Sequence, residues 1–588
     1  MTNLGTGATT RMVSSDGDPE MLRWCQLVSS SRAVCRISGL VRDQNGIVGF
    51  QRLLAVNTDG SNPKLMGQAN SVYDARLRQF DASVVDWLSG TDGNVLMSRE
   101  YVPEEGKIGS NVVRKKSGLG VDQIDTSTLR AKSVVGARDG ASAYMSDGRG
   151  VVRVMQMLEY GPGGMLSGTA RYFYRKTGAT DWTQLVSAST EDFQPVAVDA
   201  ATDRLLALKK KDGRLALYGY SLNGTGAESL IAEHPKVDID GVVTVGNSQR
   251  IIGYTYAEDK RKTVYTDPEY KGLAASLAKA LPNLPLVEFQ DVTADGKTLL
   301  IFAGSDSDPG RYYIFNRTTR ALTEAVSARP QLKDRALASV KAVTVPGDGG
   351  VAIPAYLTIP AGKEAKNLPA VVLPHGGPSS RDEWGFDWLA QFLAARGYAV
   401  LQPQYRGSTG YGDNWLNTNG FRNWKTSIGD INASAKWLAS QGIAANGKLA
   451  IVGWSYGGYA ALQAAGVDPE LYKAVVAIAP VTDLDQIKND ARNFTNARLV
   501  RDFIGSDATA SPVRYASKIK APVLLVHGDL DANVSVDQSK RMDAALKSAS
   551  KPSELLTFKG LDHQLEDPAA RTEMLTRIGG LLDRTIGQ

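Results

Sequence analysis

The stretch GWSYGGYAAL (453–462) sets Ser455 between glycines directly after the apolar run KLAIV. A serine hydroxyl is a poor nucleophile until a base takes its proton and a carboxylate orients that base. The pattern G-x-S-x-G can mark a sharp strand-to-helix turn that lifts such a hydroxyl out of the chain. Alone it decides little, because 59 of the 588 residues are glycine. An ordinary Gly-Ser loop is the alternative, and the surroundings must choose between them.

A base and an acid are needed next. The chain has four histidines, His234, His375, His527 and His563. His375 and His527 each end an apolar run in a His-Gly dipeptide, and His234 lies in the first half of the chain. Only His563, in GLDHQLED, follows both the serine and a strand-end acid. That acid is expected in HGDLDANV, which offers Asp529 and Asp531, and Asp531 is preferred. Asp562 reads as a carboxylate that structures the loop. The order serine, acid, histidine at successive strand ends is the order expected of a hydrolase triad on an α/β sheet. The oxyanion that develops during acyl transfer needs two N–H donors. The Tyr456 amide is one candidate, and Gly377, in the HGGP loop after the run PAVVLP, is the other.

Two kinds of element must position these groups. From PAVVLP onward, apolar runs (YAVLQP, KLAIVG, AVVAIAPV, APVLLVHG, ELLTF) alternate with amphipathic helical segments. This is the grammar of a doubly wound, mostly parallel sheet, whose functional groups gather beyond the strand carboxyl ends. Residues 1–338 read differently, as short β segments such as NVLMSREYV, ARYFYRK and RLALYGYSL. Asp-Gly pairs at Asp59, Asp92, Asp139, Asp147, Asp212, Asp240 and Asp295 suggest hairpin turns. One helix is expected within 267–282. At roughly 40–50 residues per blade, this half predicts an all-β propeller of about six to seven blades, with an array of sandwiches as the alternative. The chain reads as beginning partway into a repeat, so a propeller lacking a blade or strand stays open. The expected division is 1–338 for the β domain and 339–588 for an α/β-hydrolase domain.

HGGP (375–378), PQYRGSTGYG (403–412), GWSYGGY (453–459), HGDLDANV (527–534) and GLDH (560–563) resemble the prolyl oligopeptidase family of serine peptidases. The likeness is to its acylaminoacyl-peptidase and dipeptidyl-peptidase branches. The resemblance implies a β-propeller ahead of the hydrolase domain, and Ser455, Asp531 and His563 as triad with Tyr456 and Gly377 as oxyanion donors. It also implies that Arg406 and Tyr411 lie in a loop near the site, as structural residues first and substrate contacts second. Dipeptidyl-peptidase relatives grip a substrate amine with paired glutamates from the β half. Glu104-Glu105 is such a pair, read here as a solvated turn. The implied activity is hydrolysis of short peptides through an acyl-enzyme, with no metal or organic cofactor and access restricted by the propeller. An esterase or lipase, and an inactive propeller-based binding scaffold, are the competing readings.

Composition narrows the partners. With 43% hydrophobic and 22% charged residues the chain is of globular type. Its net charge is small (67 − 62 = +5), and the run Lys209–Lys211 before Asp212-Gly213 reads as a solvated hairpin, so no nucleic-acid partner is expected. No apolar run reaches the ~18–20 residues of a membrane span, and no signal peptide is read at the start. A homo-oligomer is left open. Cys25 and Cys35 flank a polar turn symmetrically, where a cross-strand disulfide or two buried thiols would fit. A bridge would imply an oxidising compartment such as the periplasm; free thiols would suit the cytoplasm.

Overall fold

The computed structural model describes residues 2, 7–44, 46–91, 93–106, 112–417 and 420–587. In its first half, six antiparallel sheets follow one another along the chain, spanning 20–65, 82–138, 141–189, 193–232, 239–265 and 286–327. Each has four strands except the fifth, which has three. The series returns on itself as a propeller does. Gln26, in the first sheet, donates to Asn247 at 2.8 Å and to Asp291 of the sixth sheet at 3.4 Å.

Turn chemistry explains much of this half. Asp212 (φ 49°) and Gly213 (φ 78°) both take positive φ and join Arg204–Lys211 to Arg214–Ser221 in a two-residue hairpin. That geometry matches the twist of the flanking strands. Two Asp-Gly pairs depart from expectation. Asp240-Gly241 lies inside the strand Ile239–Val245 at a register shift, so it makes a bulge and no turn. Asp139-Gly140 links the second sheet to the third and closes no hairpin. Asp92 lies outside the described residues. The helix expected near 267 runs Pro268–Ala280, capped by the Asp267 carboxylate on the Glu269 and Tyr270 amides.

Two further expectations, the solvated lysine hairpin and the solvated glutamate turn, are met only in part. Lys209–Lys211 lie on a strand and are half-buried and paired, Lys209 with Glu228, Lys210 with Asp192 and Asp413, and Lys211 with Glu233. Glu104 is not solvated: it is buried and accepts the Arg114 amide at 3.0 Å, because Arg114 offers it both an amide and a guanidinium. Only Glu105 is exposed.

The second half is built on one eight-stranded sheet. Its strands in chain order are β1 Ser339–Pro346, β2 Ala352–Ile359, β3 Leu368–Val372, β4 Ala399–Pro403, β5 Ala444–Trp454, β6 Val475–Ile478, β7 Val523–Gly528 and β8 Ser553–Phe558. They lie side by side as β1-β2-β4-β3-β5-β6-β7-β8, antiparallel from β1 to β4 and parallel from there on. Successive strand residues feed opposite faces. Ile451, Val475 and Leu525 pack under α2 (Trp424–Ser440), α3 (Tyr456–Val467) and α4 (Asp537–Ser548). Val452, Val476 and Leu524 pack under α1 (Trp388–Ala395) and α5 (Pro568–Thr585). A strand buried on both faces must be apolar throughout, which is why these runs lack alternation. Among the described residues no helix is long and apolar enough to cross a membrane.

Cys25 and Cys35 face each other across the hairpin Glu20–Leu27/Arg32–Asp43 and are joined in a disulfide. The bridge closes a loop with a sequence separation of 10. Removing it with Cys25→Ser/Cys35→Ser should cost about 2–3 kcal/mol of β-half stability. The check is the first unfolding transition in calorimetry, which should drop by several degrees in the variant and in reduced wild type alike.

Candidate active site

Ser455 sits where β5 turns into α3, with φ 58° and ψ −119°. A non-glycine residue held there carries roughly 1–3 kcal/mol of strain, which the surroundings must offset. They do so by close backbone approach. A Cβ on Gly453 would fall 2.1 Å from the Gly457 carbonyl oxygen, and one on Gly457 would fall 2.2 Å from that of Pro374. Glycine is therefore required at both flanks. The Ser455 amide donates to the Ile478 carbonyl at 2.8 Å, tying the turn to β6.

The HGGP loop after β3 lies against this turn. A Cβ on Gly376 would stand 3.5 Å from that of Ser455, and Gly377 takes φ 122°. Tyr456 is the first residue of α3, so its amide is among those that a helix start leaves without an intrahelical acceptor. Rings lock the two segments together. His375 stacks on Tyr405 with centroids 4.4 Å apart, Tyr405 stacks on Tyr456 at 5.6 Å, and Phe421 meets Tyr456 edge-on at 4.9 Å. His375 also bonds Ser408 Oγ through Nε2 at 2.8 Å. Burial of this ring lowers its pKa to about 4, so it stays neutral.

Asp531 and His563 meet beyond the ends of β7 and β8. His563 Nδ1 donates to Asp531 Oδ2 at 2.6 Å, while Oδ1 accepts the Asn533 and Val534 amides, each at 2.8 Å. Burial alone would push the Asp531 carboxyl up, but hydrogen bonds from His527 and His563 outweigh it and hold the pKa at about 2. The two loops are zipped to each other. Gly560 N–H donates to Asp529 Oδ1 at 2.7 Å, and Leu530 N–H to the Leu561 carbonyl at 3.0 Å. Trp454, adjoining the serine, donates through its indole to the His563 carbonyl at 3.0 Å. The structure thus joins acid to histidine and sets the histidine loop against the serine's strand; no Ser455–His563 hydrogen bond is formed among the described residues. Asp529 and Asp562 serve the loops, the latter capping Gln564 N–H at 3.0 Å. His234 stacks on Tyr256 in the β half, away from this cluster.

Arg406 and Tyr411 hold the neighbouring loop. Arg406 grips the fully buried Asp430 carboxylate through its amide (2.9 Å), Nε (2.9 Å) and Nη2 (2.7 Å). The Tyr411 ring stacks under the Arg381 guanidinium at 4.5 Å. Arg381 in turn donates to the carbonyls of Ala257 (3.0 Å) and Glu258 (3.2 Å) in the fifth sheet. The β half reaches the carboxyl-end loops elsewhere too. Asp413 N–H donates to the Gly213 carbonyl (2.7 Å), Leu166 N–H to that of Thr495 (2.8 Å) and Arg42 to that of Asp529 (2.6 Å), while Arg23 pairs with Glu566 (2.6 Å). Sequence reasoning missed this set, since nothing local marks partners that lie 123 to 543 residues away. No group of three or more His, Cys, Asp or Glu side chains is arranged to hold a metal ion among the described residues.

Residues 384–588 match the model of the prolyl oligopeptidase family. The match lies wholly within the α/β half of the chain. Among curated relatives, a dipeptidyl aminopeptidase BIII from Pseudoxanthomonas mexicana is 27% identical over 62% of this chain and 55% of its own length. An acylamino-acid-releasing enzyme from Rattus norvegicus is 27% identical over 35% of this chain and 30% of its own. The chain therefore spans about half or less of the length of these relatives. Solved structures share the fold across both halves. A puromycin-hydrolyzing peptidase from Mycobacterium tuberculosis superimposes with TM-score 0.67 at 19% identity, covering 96% of this chain and 94% of its own. A Pyrococcus horikoshii acylaminoacyl peptidase gives 0.64 at 15% identity, covering 97% and 96%.

Two outcomes follow from the buried groups. Unfolded His375 takes up a proton near pH 6.5, whereas the folded ring resists until about pH 4. Stability present at neutral pH should then fall by about 3 kcal/mol as pH drops across that window. Urea midpoints measured from pH 7 to 4 should show the loss in wild type and much less of it in His375→Asn. Arg406→Ala strands the buried Asp430 carboxylate and should cost about 3 kcal/mol or more, with Lys restoring only part because it lacks the planar fork. Denaturant titration of both variants checks this.

Proposed function

We propose that the protein is a serine peptidase that cleaves short peptides through an acyl-enzyme. The observation that carries this reading is the 2.6 Å His563–Asp531 hydrogen bond beside a serine held at positive φ on a strand-to-helix turn. In this reading His563 takes the Ser455 proton through Nε2, since Nδ1–H is committed to Asp531. Ser455 Oγ attacks the peptide carbonyl, and the amides of Tyr456 and Gly377 receive the oxyanion, at ~3–4 kcal/mol for each donor. His563 then hands its proton to the leaving amine, and water attacks the acyl-enzyme by the same route. Asp531, ionised down to about pH 2, supports the imidazolium across the working range.

The β half, divided from the hydrolase at 338/339, acts here as a cover that admits short peptides. Its first, third, fourth and fifth sheets all touch loops around the carboxyl end of the large sheet. Glu104 is committed to Arg114, so Glu104-Glu105 does not serve as a paired clamp for a substrate amine. The dipeptidyl-aminopeptidase and acylamino-acid-releasing relatives favour removal of dipeptides or of acylated residues from peptide ends.

The test compares wild type with Ser455→Ala on free-amine dipeptide, N-acetylamino-acid and internally cleavable blocked chromogenic peptides, with a simple acyl ester alongside. One peptide class should be turned over, and the rate should fall at least about a thousandfold in the variant. Turnover of the ester alone would make the protein an esterase. Digestion of a large native protein as fast as a short peptide would end the covering role of the β half.

A further inference from the structure

His527 is the penultimate residue of β7 and is fully buried, yet no step above uses it. Its Nε2 lies 3.2 Å from Asp531 Oδ2, the same oxygen that receives His563, and 2.8 Å from the Val534 carbonyl oxygen. Its Nδ1 lies 2.7 Å from the hydroxyl of Ser539, itself wholly buried on α4. Both neighbours of Nε2 can only accept, so Nε2 must carry a proton. The Ser539 hydroxyl can donate, which leaves Nδ1 as an acceptor. One neutral tautomer thus satisfies every contact without charging a ring that has no access to water.

We propose that His527 is a positioning residue for the acid of the triad, donating from Nε2 to Asp531 and holding its Oδ2 toward His563. This rests on the serine-hydrolase reading given above. Asp531 is then fixed at both oxygens, Oδ1 by the Asn533 and Val534 amides and Oδ2 by two imidazoles. The donated bond also tempers the basicity of the carboxylate and hence how tightly His563 keeps a proton. Among the described residues, no other ionisable side chain is hydrogen-bonded to His527, Asp531 or His563. Asp529 and Asp562 stand on the adjoining loops, with Arg42 on the Asp529 carbonyl and Arg23 3.9 Å from Asp562. Asp537 opens α4, β8 sets Thr557 beside His527, and β6 supplies only the apolar residues 475–478.

The experiment measures the labelling rate of Ser455 by a fluorophosphonate on the full chain across pH 4–9, which needs no knowledge of the substrate. His527→Leu should lower the plateau rate about ten- to a hundredfold, since a buried hydrogen bond to a charged group is lost. It should also move the acid limb to higher pH, because an undonated carboxylate strengthens the imidazolium. His527→Gln, with an amide N–H in place of Nε2–H, should recover most of the rate and return the limb. Ser539→Ala, which leaves the ring in place and frees Nδ1, should give a several-fold loss in the same direction, and it carries the test where the leucine variant does not fold. A folded, labelled His527→Leu with unchanged plateau and limb overturns the proposal. A loss without movement of the limb and without rescue by glutamine overturns it too, as that is mere damage to the fold. Wild type that does not label at Ser455 defeats the serine-hydrolase reading itself and this inference with it.

Discussion

The whole site depends on how closely three backbone segments approach one another at the Ser455 turn. The end of β5, the start of α3 and the HGGP loop pass so near that a single added carbon at Gly453 or Gly457 would collide with a carbonyl. Close approach forces the turn, and the turn forces the serine into a conformation that few side chains adopt. Parallel strands set the stage, since the carboxyl ends of β3, β5, β7 and β8 all open on the same edge. Ser455, the loop bearing Gly377, Asp531 and His563 owe their placement to one topology and one tight junction.

Energies sort the remaining contacts by role. The apolar faces of the large sheet hold the domain together, while the surface pair Arg23–Glu566 contributes under about 1 kcal/mol. Such a pair does little for stability, but it can fix where a loop lies. Buried polar groups behave differently. His375, Asp430, His527 and Asp531 each have partners, and each would be costly to strand. They cluster around the loops that carry Ser455, Asp531 and His563, so the tightest polar demands in the α/β half fall at the candidate site.

The sequence showed the division into two grammars, because period and chain punctuation are local properties. It showed Ser455, Asp531 and His563 as an ordered set, because strand ends could be read from apolar runs. It did not show that Asp240-Gly241 is a bulge, since a bulge and a turn favour the same residues and only the strand register tells them apart. Nor could it show Glu104 buried against Arg114, because an acidic pair beside proline and glycine has the composition of a solvated loop. His527 was visible as a strand-end residue, but its reach to Asp531 follows from the path of the HGDLD loop. The Arg23, Arg42 and Arg381 contacts join parts of the chain with no common pattern, and only the assembled fold brings them together.

The contacts made by Arg23 and Arg42 have an evolutionary side. Both arginines come from the first β sheet, and both land on the loops that carry the acid and the histidine. The first sheet is thus tied to those loops, and a substitution at Arg23 or Arg42 would remove a tie. An α/β domain cut away from its partner would keep Ser455, Asp531 and His563 and lose the Arg23 and Arg42 contacts to their loops. Inheritance of the two halves as one chain preserves these contacts as well.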